Sequence, residues 1–360
     1  MPHHVARLVA IVAALAVSPA FAQTPGVTTT IENDRPAGAA EALSTPEARR
    51  AVEPLDWNAT RGEGLRTGRD APETVSPQTL REGGSTAGGG TPDPEADEEA
   101  ERQFPQEWQG LRQSQATQEG DDESIAGTVD VFTQYCENCD AVNLDYPQKA
   151  IGKLFTARGT CSASVVSGND IIVTAAHCCY DRGNGNWIGG WQFAPAYRDG
   201  FAPYGLFDWS SATVLNRWIS TGDRQSDVCL IRLRDNSAGR SVTFYTGWLG
   251  RSWNWGSNQV HHAVGYPGNL GGGNKKQLCV SESFSPSSGC GGASVLNTGC
   301  SMTFGASGGP WIRNYRSGNH VNSVVSGYDG TSCTGSFGRT FNGPRFTSDN
   351  IVTLCDILGC

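Results

Sequence analysis

The twelve cysteines of this chain are confined to its second part, since all of them lie between Cys136 and Cys360. An even and dense set of cysteines is typical of disulfide bonds in an exported chain, whereas in a cytosolic chain zinc ligation would be considered. The length of 360 residues allows about two domains. The cysteines therefore predict a disulfide-stabilised second part, preceded by a segment of a different kind.

The charged residues divide at nearly the same point. Residues 23–125 contain nine arginines, no lysine and 21 acidic residues, which gives a net charge of −12. Residues 126–360 contain 17 basic and 15 acidic residues and are almost neutral. Because no domain carries a basic field, the composition argues against nucleic acid as the main partner.

Residues 1–22 have the three parts of a secretory signal peptide. Arg7 makes the first part positive, residues 8–17 form an apolar run of ten, and Ala-Phe-Ala at residues 20–22 is a small-x-small cleavage site. Ten apolar residues are too few to cross a bilayer, which argues against the alternative of a membrane anchor. We therefore expect a secreted or periplasmic protein that is free of the membrane after signal cleavage.

Residues 23–125 are rich in Pro, Gly, Glu, Thr and Ala and show almost no apolar periodicity. Such a segment cannot bury enough apolar surface to offset the entropy that ordering would cost. We therefore expect a disordered acidic leader. It is interpreted as a propeptide that is removed when a zymogen matures, and the alternative is a permanent acidic tail or linker.

Residues 126–360 contain many short β-branched runs between turn residues, for example residues 150–155, 171–174 and 228–233. Each run has the length of a strand, and helical periodicity is convincing only at residues 348–358. The pattern predicts an all-β domain, a barrel or a double barrel, with a short C-terminal helix.

Three short motifs in this domain carry residues suited to acyl transfer. They are Thr-Ala-Ala-His-Cys at residues 174–178, Ser-Asp-Val-Cys at residues 226–229, and Gly-Ala-Ser-Gly-Gly-Pro at residues 305–310. A serine hydroxyl is a weak nucleophile that requires a base, usually an imidazole, and the imidazole requires a carboxylate to fix its tautomer. Each motif alone is common in ordinary cores and loops, but together they supply all three groups.

The order of His177, Asp227 and Ser307 resembles that of the chymotrypsin-like serine proteases. Within that family, the chain is most similar to the bacterial V8-like, or glutamyl-endopeptidase-like, branch, through Ala-Ile-Gly-Lys-Leu-Phe at residues 150–155 and Gly-Tyr-Pro-Gly at residues 265–268. The resemblance implies two six-stranded antiparallel β-barrels with the site between them. The first barrel would supply the histidine and aspartate, and the second would supply the serine.

The resemblance also implies the roles of the residues around the serine. The N–H groups of Gly305 and Ser307 would form the oxyanion hole. Ser301 stands where trypsin-like enzymes have an aspartate, and residues 323–328 lack the histidine of glutamyl endopeptidases, so neither a basic nor a strong glutamate preference is expected. A pocket that accepts an apolar or small residue is expected instead, and an ordinary strand serine is the alternative for Ser326. The candidate substrate-binding residues are Ser301, Met302, Thr303, Ser326 and Tyr328.

The sequence predicts only some of the disulfide partners. The candidates are Cys161, Cys178, Cys300, Cys333, Cys355 and Cys360. The resemblance implies a bridge between Cys161 and Cys178, while Cys300 and Cys333 flank the expected pocket and could brace it. Cys355 and Cys360 could close the C-terminus. Cys179 could reach Cys229 or another partner, and Cys136 with Cys139 is interpreted as a small structural bridge, with a redox motif as the alternative.

A secreted serine endopeptidase is the function that these features predict, with Ser307 as nucleophile, His177 as general base and acid, and Asp227 as the orienting carboxylate. We expect a monomer that acts on protein or peptide substrates and needs no cofactor or metal. The alternative is a secreted binding module with a protease fold and no activity. Ala306 stands where trypsin has an acidic residue, so maturation through that ion pair is not expected.

Overall fold

The structure, a computed structural model of the chain, describes residues 27–34, 41–56, 82–116, 132–139, 144–286, 295–329 and 340–360. The described strands are β1 (Thr28–Glu32), β2 (Gly84–Ser85), β3 (Thr133–Cys136), β4 (Ile151–Thr156), β5 (Gly159–Ser167), β6 (Ile171–Thr174), β7 (Tyr180–Asp181), β8 (Asn186–Trp187), β9 (Gln192–Pro195), β10 (Phe207–Leu215), β11 (Cys229–Leu233), β12 (Gly250–Trp253), β13 (Val260–Gly265), β14 (Gln277–Phe284), β15 (Val295–Gly299), β16 (Pro310–Arg313), β17 (His320–Val324), β18 (Gly327–Asp329) and β19 (Thr340–Pro344). The α-helices are α1 (Pro46–Arg50), α2 (Ala96–Gln103), α3 (Pro105–Ala116), α4 (Asn216–Thr221), α5 (Val242–Thr246) and α6 (Thr353–Leu358).

Six of these strands close into an antiparallel barrel. Their hydrogen-bonded order is β10, β11, β6, β5, β4 and β9, and β9 pairs again with β10, where Phe193 lies opposite Phe207. Strands β4 and β6 are buried along their whole length, which suits a small barrel that is filled inside and covered outside. The first of the two expected barrels is confirmed.

The strands after β11 form a large mixed sheet that is not closed within the described residues. Its order is β18, β19, β15, β14, β13, β16, β17, β12 and β2, and β3 also pairs with β14. A second six-stranded antiparallel barrel is therefore not confirmed. Strand β12 departs from the antiparallel pattern, since Gly250 and Arg251 pair in parallel with β17 while Ser252 and Trp253 pair with β2, which belongs to the acidic segment.

Parts of the acidic segment are ordered against the domain, so the expectation of a disordered leader does not hold for its described residues. Strand β1 pairs with β10 over five residue pairs. Helix α2 buries Ala96 and Ala100 completely, and Asp97 pairs with Lys149 at 2.7 Å. The segment is too polar to form its own core, but its few apolar side chains are buried against a surface that the composition alone does not reveal.

The C-terminal helix expected at residues 348–358 is confirmed as α6, which follows a π-helical turn at Ser348–Val352. Asn350 holds the start of this turn, since its Oδ1 accepts the N–H of Thr347 at 2.7 Å. The helix ends at Gly359, whose φ of +76° is the left-handed conformation that glycine adopts most easily. Among the described residues, no helix has the length and apolar character needed to cross a membrane.

Candidate active site

His177 and Asp227 come from two strands of the barrel that pair with each other, since β6 ends just before the histidine and β11 begins just after the aspartate. One carboxylate oxygen of Asp227 accepts the backbone N–H of His177 at 2.9 Å, and the other lies 2.9 Å from its Nδ1. Both residues are fully buried. A carboxylate can only accept, so Nδ1 carries the proton and Nε2 remains available as a base.

Ser326 is a third partner of this pair. Its hydroxyl donates a hydrogen bond of 2.5 Å to Oδ2 of Asp227, the same oxygen that faces the imidazole. Ser326 lies directly before β18, so this bond joins the aspartate of the barrel to the mixed sheet. The sequence motif located Ser326 near the substrate strand but gave no sign of its bond to the aspartate.

Ser307 lies in the loop between β15 and β16, next to the turn that carries the histidine. Its carbonyl accepts the N–H of Ser162 at 2.7 Å and lies 3.9 Å from Sγ of Cys178. Gly308 follows with a φ of +80°, and a Cβ at this position would lie only 1.9 Å from Oγ1 of Thr174. Glycine is therefore required here, because only a bare backbone lets the serine loop approach the end of β6 so closely.

Two buried side-chain atoms at this junction have no hydrogen-bond partner among the described residues. They are Oγ of Ser307 and Nε2 of His177. The N–H groups of Gly305 and Ser307 also donate to no acceptor in that part of the chain. Buried polar groups are normally paired, so a cluster of unpaired ones is informative. A nucleophile, a base and two N–H donors thus meet at one junction, and Oγ of Ser307 and Nε2 of His177 are not hydrogen-bonded to each other in this arrangement.

The candidate pocket residues are held by two side chains that the sequence analysis missed. The Oε1 atom of Gln134 accepts both the hydroxyl and the N–H of Ser301, at 2.7 and 3.1 Å. Asn269 does the same for Thr303, with both distances at 2.9 Å. Gln134 lies on β3, more than 160 positions before its partner, and no local motif signals such a contact.

The other pocket candidates differ in exposure. Met302 is 1% exposed and belongs to an apolar cluster with Trp311 and Phe341, so its side chain packs inside the sheet. Tyr328 is 45% exposed, and its ring centroid lies 6.1 Å from that of Phe304. Of these two candidates, only the tyrosine presents a side chain to solvent.

The described cysteines are all bonded in pairs. The bridges are Cys136–Cys139, Cys161–Cys178, Cys179–Cys229, Cys279–Cys300 and Cys355–Cys360. Cys300 is therefore not braced by Cys333, which lies outside the described residues. The reason is that β14 and β15 pair side by side, which brings Cys279 to the end of β15. The sulfurs of Cys161 and Cys178 lie close to the imidazole of His177, but a disulfide offers no thiolate to a metal.

A buried lysine lies under the serine loop. Lys153 on β4 pairs with Ser162, whose hydroxyl donates to the carbonyl of Gly305 at 2.9 Å. Burial lowers the pKa of Lys153 to about 7, and the carboxylates of Glu53 and Asp199 oppose this shift. Its Nζ donates to Asn274 at 3.0 Å and lies 4.7 Å from the ring centroid of Tyr197.

The chain matches no family model and no curated protein sequence. Its structure is similar to that of the protease Anisep from Arthrobacter nicotinovorans, at 27% identity and a TM-score of 0.51, covering 59% of this chain and 96% of that one. A thermostable serine protease from an extremophilic microorganism is 28% identical with a TM-score of 0.49, covering 56% and 93%. A Glu endopeptidase is 16% identical with a TM-score of 0.48, covering 63% and 94%. The likeness to the Anisep protease confirms the resemblance to the chymotrypsin-like serine proteases that the motifs predicted.

Proposed function

We propose that this protein is a secreted serine endopeptidase, with Ser307 as nucleophile, His177 as general base and acid, and Asp227 as the carboxylate that orients the imidazole. One observation carries the proposal. Asp227 binds the backbone and Nδ1 of His177, while Nε2 of His177 and Oγ of Ser307 stay unpaired at the same buried junction. Other buried atoms of the described residues are also unpaired, for example Oγ of Ser164 and Nδ1 of His261, so the weight lies on the combination with the carboxylate-bound imidazole.

The proposed reaction has two steps. Oγ of Ser307 attacks the carbonyl carbon of the scissile bond, Nε2 of His177 takes the hydroxyl proton, and the negative oxygen is bound by the N–H groups of Gly305 and Ser307. The imidazolium then gives its proton to the departing amine as the C–N bond breaks. Water, deprotonated by the same imidazole, hydrolyses the acyl-serine ester and restores the hydroxyl.

Secretion and specificity are parts of the same proposal. The disulfides and the signal-like residues 1–22 support export to an oxidising compartment. Residue 301 is a serine and not an acidic residue. The apolar cluster that contains Met302 and Phe341 lies next to it. We therefore propose that an apolar or small residue precedes the scissile bond.

Labelling with a fluorophosphonate tests the proposal. In this reaction an activated serine hydroxyl attacks phosphorus and fluoride leaves, so intact mass reveals one adduct for each reactive serine. We expect one adduct on the wild-type protein and none on Ser307→Ala after prolonged incubation. Ser317→Ala is the matched control, because Ser317 is an exposed serine in the turn after β16, and this variant is expected to label like the wild type.

Hydrolysis of an unfolded protein substrate completes the test. Ser307→Ala is expected to lose about six orders of magnitude in turnover, because members of such a triad act as a unit. Equal labelling or hydrolysis by Ser307→Ala would refute the proposed nucleophile. A folded wild-type protein that never labels, even after its leader has been cut away, would favour the inactive binding module instead.

A further inference from the structure

The acidic segment reaches the candidate active site. Its residues 53–55, Glu-Pro-Leu, form a parallel bridge with Thr160 on barrel strand β5. The N–H of Leu55 donates to the carbonyl of Thr160, and the N–H of Thr160 donates to the carbonyl of Glu53, both at 2.9 Å. Thr160 directly precedes the cysteine that is bonded to Cys178, the neighbour of the histidine. The tripeptide thus lies along one wall of the site.

Pro54 sits in a cradle made of three glycines. A Cβ at Gly268 would lie 2.8 Å from Cγ of the proline, and one at Gly273 would lie 3.2 Å from the same atom. A Cβ at Gly305 would lie 3.1 Å from Cβ of the proline. A side chain at any of the three positions would crowd the ring, so the ring and the glycines are matched in shape. Because Gly305 is a candidate oxyanion donor, the ring lies against the loop that stabilises the reaction.

Two anchors fix the tripeptide in this place. Leu55 is only 3% exposed and packs into the main apolar core. A few residues earlier, the buried Arg49 of α1 donates to the carbonyl of Gly200 and to a carboxylate oxygen of Glu107 on α3, each at 2.5 Å. The other oxygen of Glu107 accepts the N–H of Ala202 at 2.8 Å. Helices α1 and α3 of the leader are therefore tied to each other and to the loop between β9 and β10.

The contacts of the tripeptide described above fall on Thr160 and on the three glycines, one of which lies two positions before Ser307. Oγ of Ser307 makes no hydrogen bond to the described part of the leader. Ser307 and His177 have no solvent exposure in this arrangement. Side chains without solvent exposure are closed to a substrate as long as this arrangement persists.

We propose that residues 53–55 are an intramolecular inhibitor that keeps the full chain latent until the leader is displaced or cut. This inference rests on the proposed endopeptidase function. The cradle takes an extended peptide in which a proline stands between an acidic and a branched apolar residue. The leader is thus more than a segment trimmed on maturation, because one defined tripeptide controls access to Ser307.

The rate of fluorophosphonate labelling of the uncut full chain tests this proposal. We expect the double variant Pro54→Asp/Leu55→Asp to label at least ten times faster than the wild type, because two charged side chains cannot occupy the glycine cradle and the apolar core. Pro105→Asp is the matched control, since Pro105 is an exposed leader proline at the start of α3 and its variant is expected to label like the wild type. Intact mass at each time point ensures that only uncut chains are counted.

The outcomes separate this inference from the function on which it rests. If the wild type and the double variant label equally fast and Ser307→Ala abolishes both signals, the serine is active and the inhibitor is refuted. If neither labels although both are folded, the proposed function fails and the inference fails with it. If the double variant does not fold, Leu55→Ala replaces it, with about threefold faster labelling expected and an unchanged rate counting against the proposal.

Discussion

The barrel and the mixed sheet both supply residues to the candidate site, but they hold those residues in position in different ways. The barrel supplies His177 and Asp227 from strands whose edges are all paired within the barrel, and two disulfides lie beside the histidine. The sheet supplies Ser307 from a loop, and its strand β12 is paired with β2 from the leader. The base is thus held by a closed unit, whereas the nucleophile is held by contacts with other parts of the chain.

The serine loop shows what this difference means. The carbonyl of Ser307 is bound by Ser162 of the barrel, and Gly308 packs against Thr174 at the end of β6. Ser326 reaches across in the same direction to bind Asp227. The sheet is therefore aligned to the barrel at a few close contacts. Substitutions of the site residues in the barrel should therefore lower turnover more than stability. Substitutions at the junction should lower both turnover and the free energy of unfolding.

Among the changes that compare the barrel with the sheet, the largest effect is expected from Asp227→Asn. An asparagine preserves the shape but favours the wrong tautomer of His177, which in triads of this type lowers turnover by about 10⁴-fold. The measurement is the rate of substrate hydrolysis, with the free energy of unfolding recorded in parallel. Asp356→Asn, an exposed change on α6, is the control. A loss of less than tenfold would show that the aspartate does not orient the base.

A methyl group at the junction tests whether the serine loop depends on its close contacts with the barrel. In Gly308→Ala, the new Cβ would lie 1.9 Å from Oγ1 of Thr174 and 2.4 Å from the carbonyl of Ser162, at a positive φ. We expect a loss of about 4 kcal/mol in the free energy of unfolding, from overpacking together with the left-handed backbone. Gly256→Ala is the matched control, because nothing lies within 4 Å of its Cβ position. Equal unfolding free energies for the two variants would contradict the close approach.

The sheet should also be the more sensitive half at acidic pH. Burial lowers the pKa of His261 on β13 to about 4, so the folded chain keeps it neutral while the unfolded chain protonates it near pH 6.5. The unfolded state therefore binds more protons between these values, and stability falls as the pH decreases. We expect a loss of about 3 kcal/mol between pH 7 and pH 4, measured by urea unfolding.

A variant isolates this contribution. His261→Gln removes the titrating group and should flatten the pH dependence of the unfolding free energy between pH 6.5 and pH 4. His262→Gln is the comparison, because it changes the half-buried neighbour, whose pKa is also lowered by burial. His262 is expected to contribute less because it is partly exposed and stacks on Tyr315 with ring centroids 4.4 Å apart. Identical profiles for the wild type and His261→Gln would contradict the assignment.

The smallest expected effect is the difference in unfolding free energy between removing one disulfide from the barrel and removing one from the sheet. Cys179–Cys229 closes 50 residues in the barrel, and Cys279–Cys300 closes 21 in the sheet. Loop entropy predicts losses of about 4 and about 3 kcal/mol when each pair is replaced by alanines. The measured quantity is the difference between the two unfolding free energies, about 1 kcal/mol in favour of the barrel bridge. A larger loss for the sheet bridge would show that strain or packing outweighs loop length.

Much of the fold followed from local patterns. The β-branched runs at residues 150–155, 171–174 and 228–233 correspond to β4, β6 and β11 of the barrel. Neighbouring side chains of a strand point to opposite faces, and the adjacent His261 and His262 on β13 accordingly have one buried and one half-buried ring. These features are local because strand formation depends on side chains within a few positions of each other. The open sheet was not predictable, because its edge is paired with a segment more than 160 positions away.

For the candidate site, the amino-acid sequence already contained the residue types at His177, Asp227 and Ser307, their order, and the glycines around the serine. Only the tertiary structure decided which groups meet, including Ser326 with Asp227, Gln134 with Ser301, and Pro54 with its glycine cradle. The physical reason is that a motif specifies what a residue can do, whereas a contact between distant positions depends on the packing of the whole chain. Composition marked the leader as unable to fold alone, and its ordered parts depend on the surface of the domain that they cover.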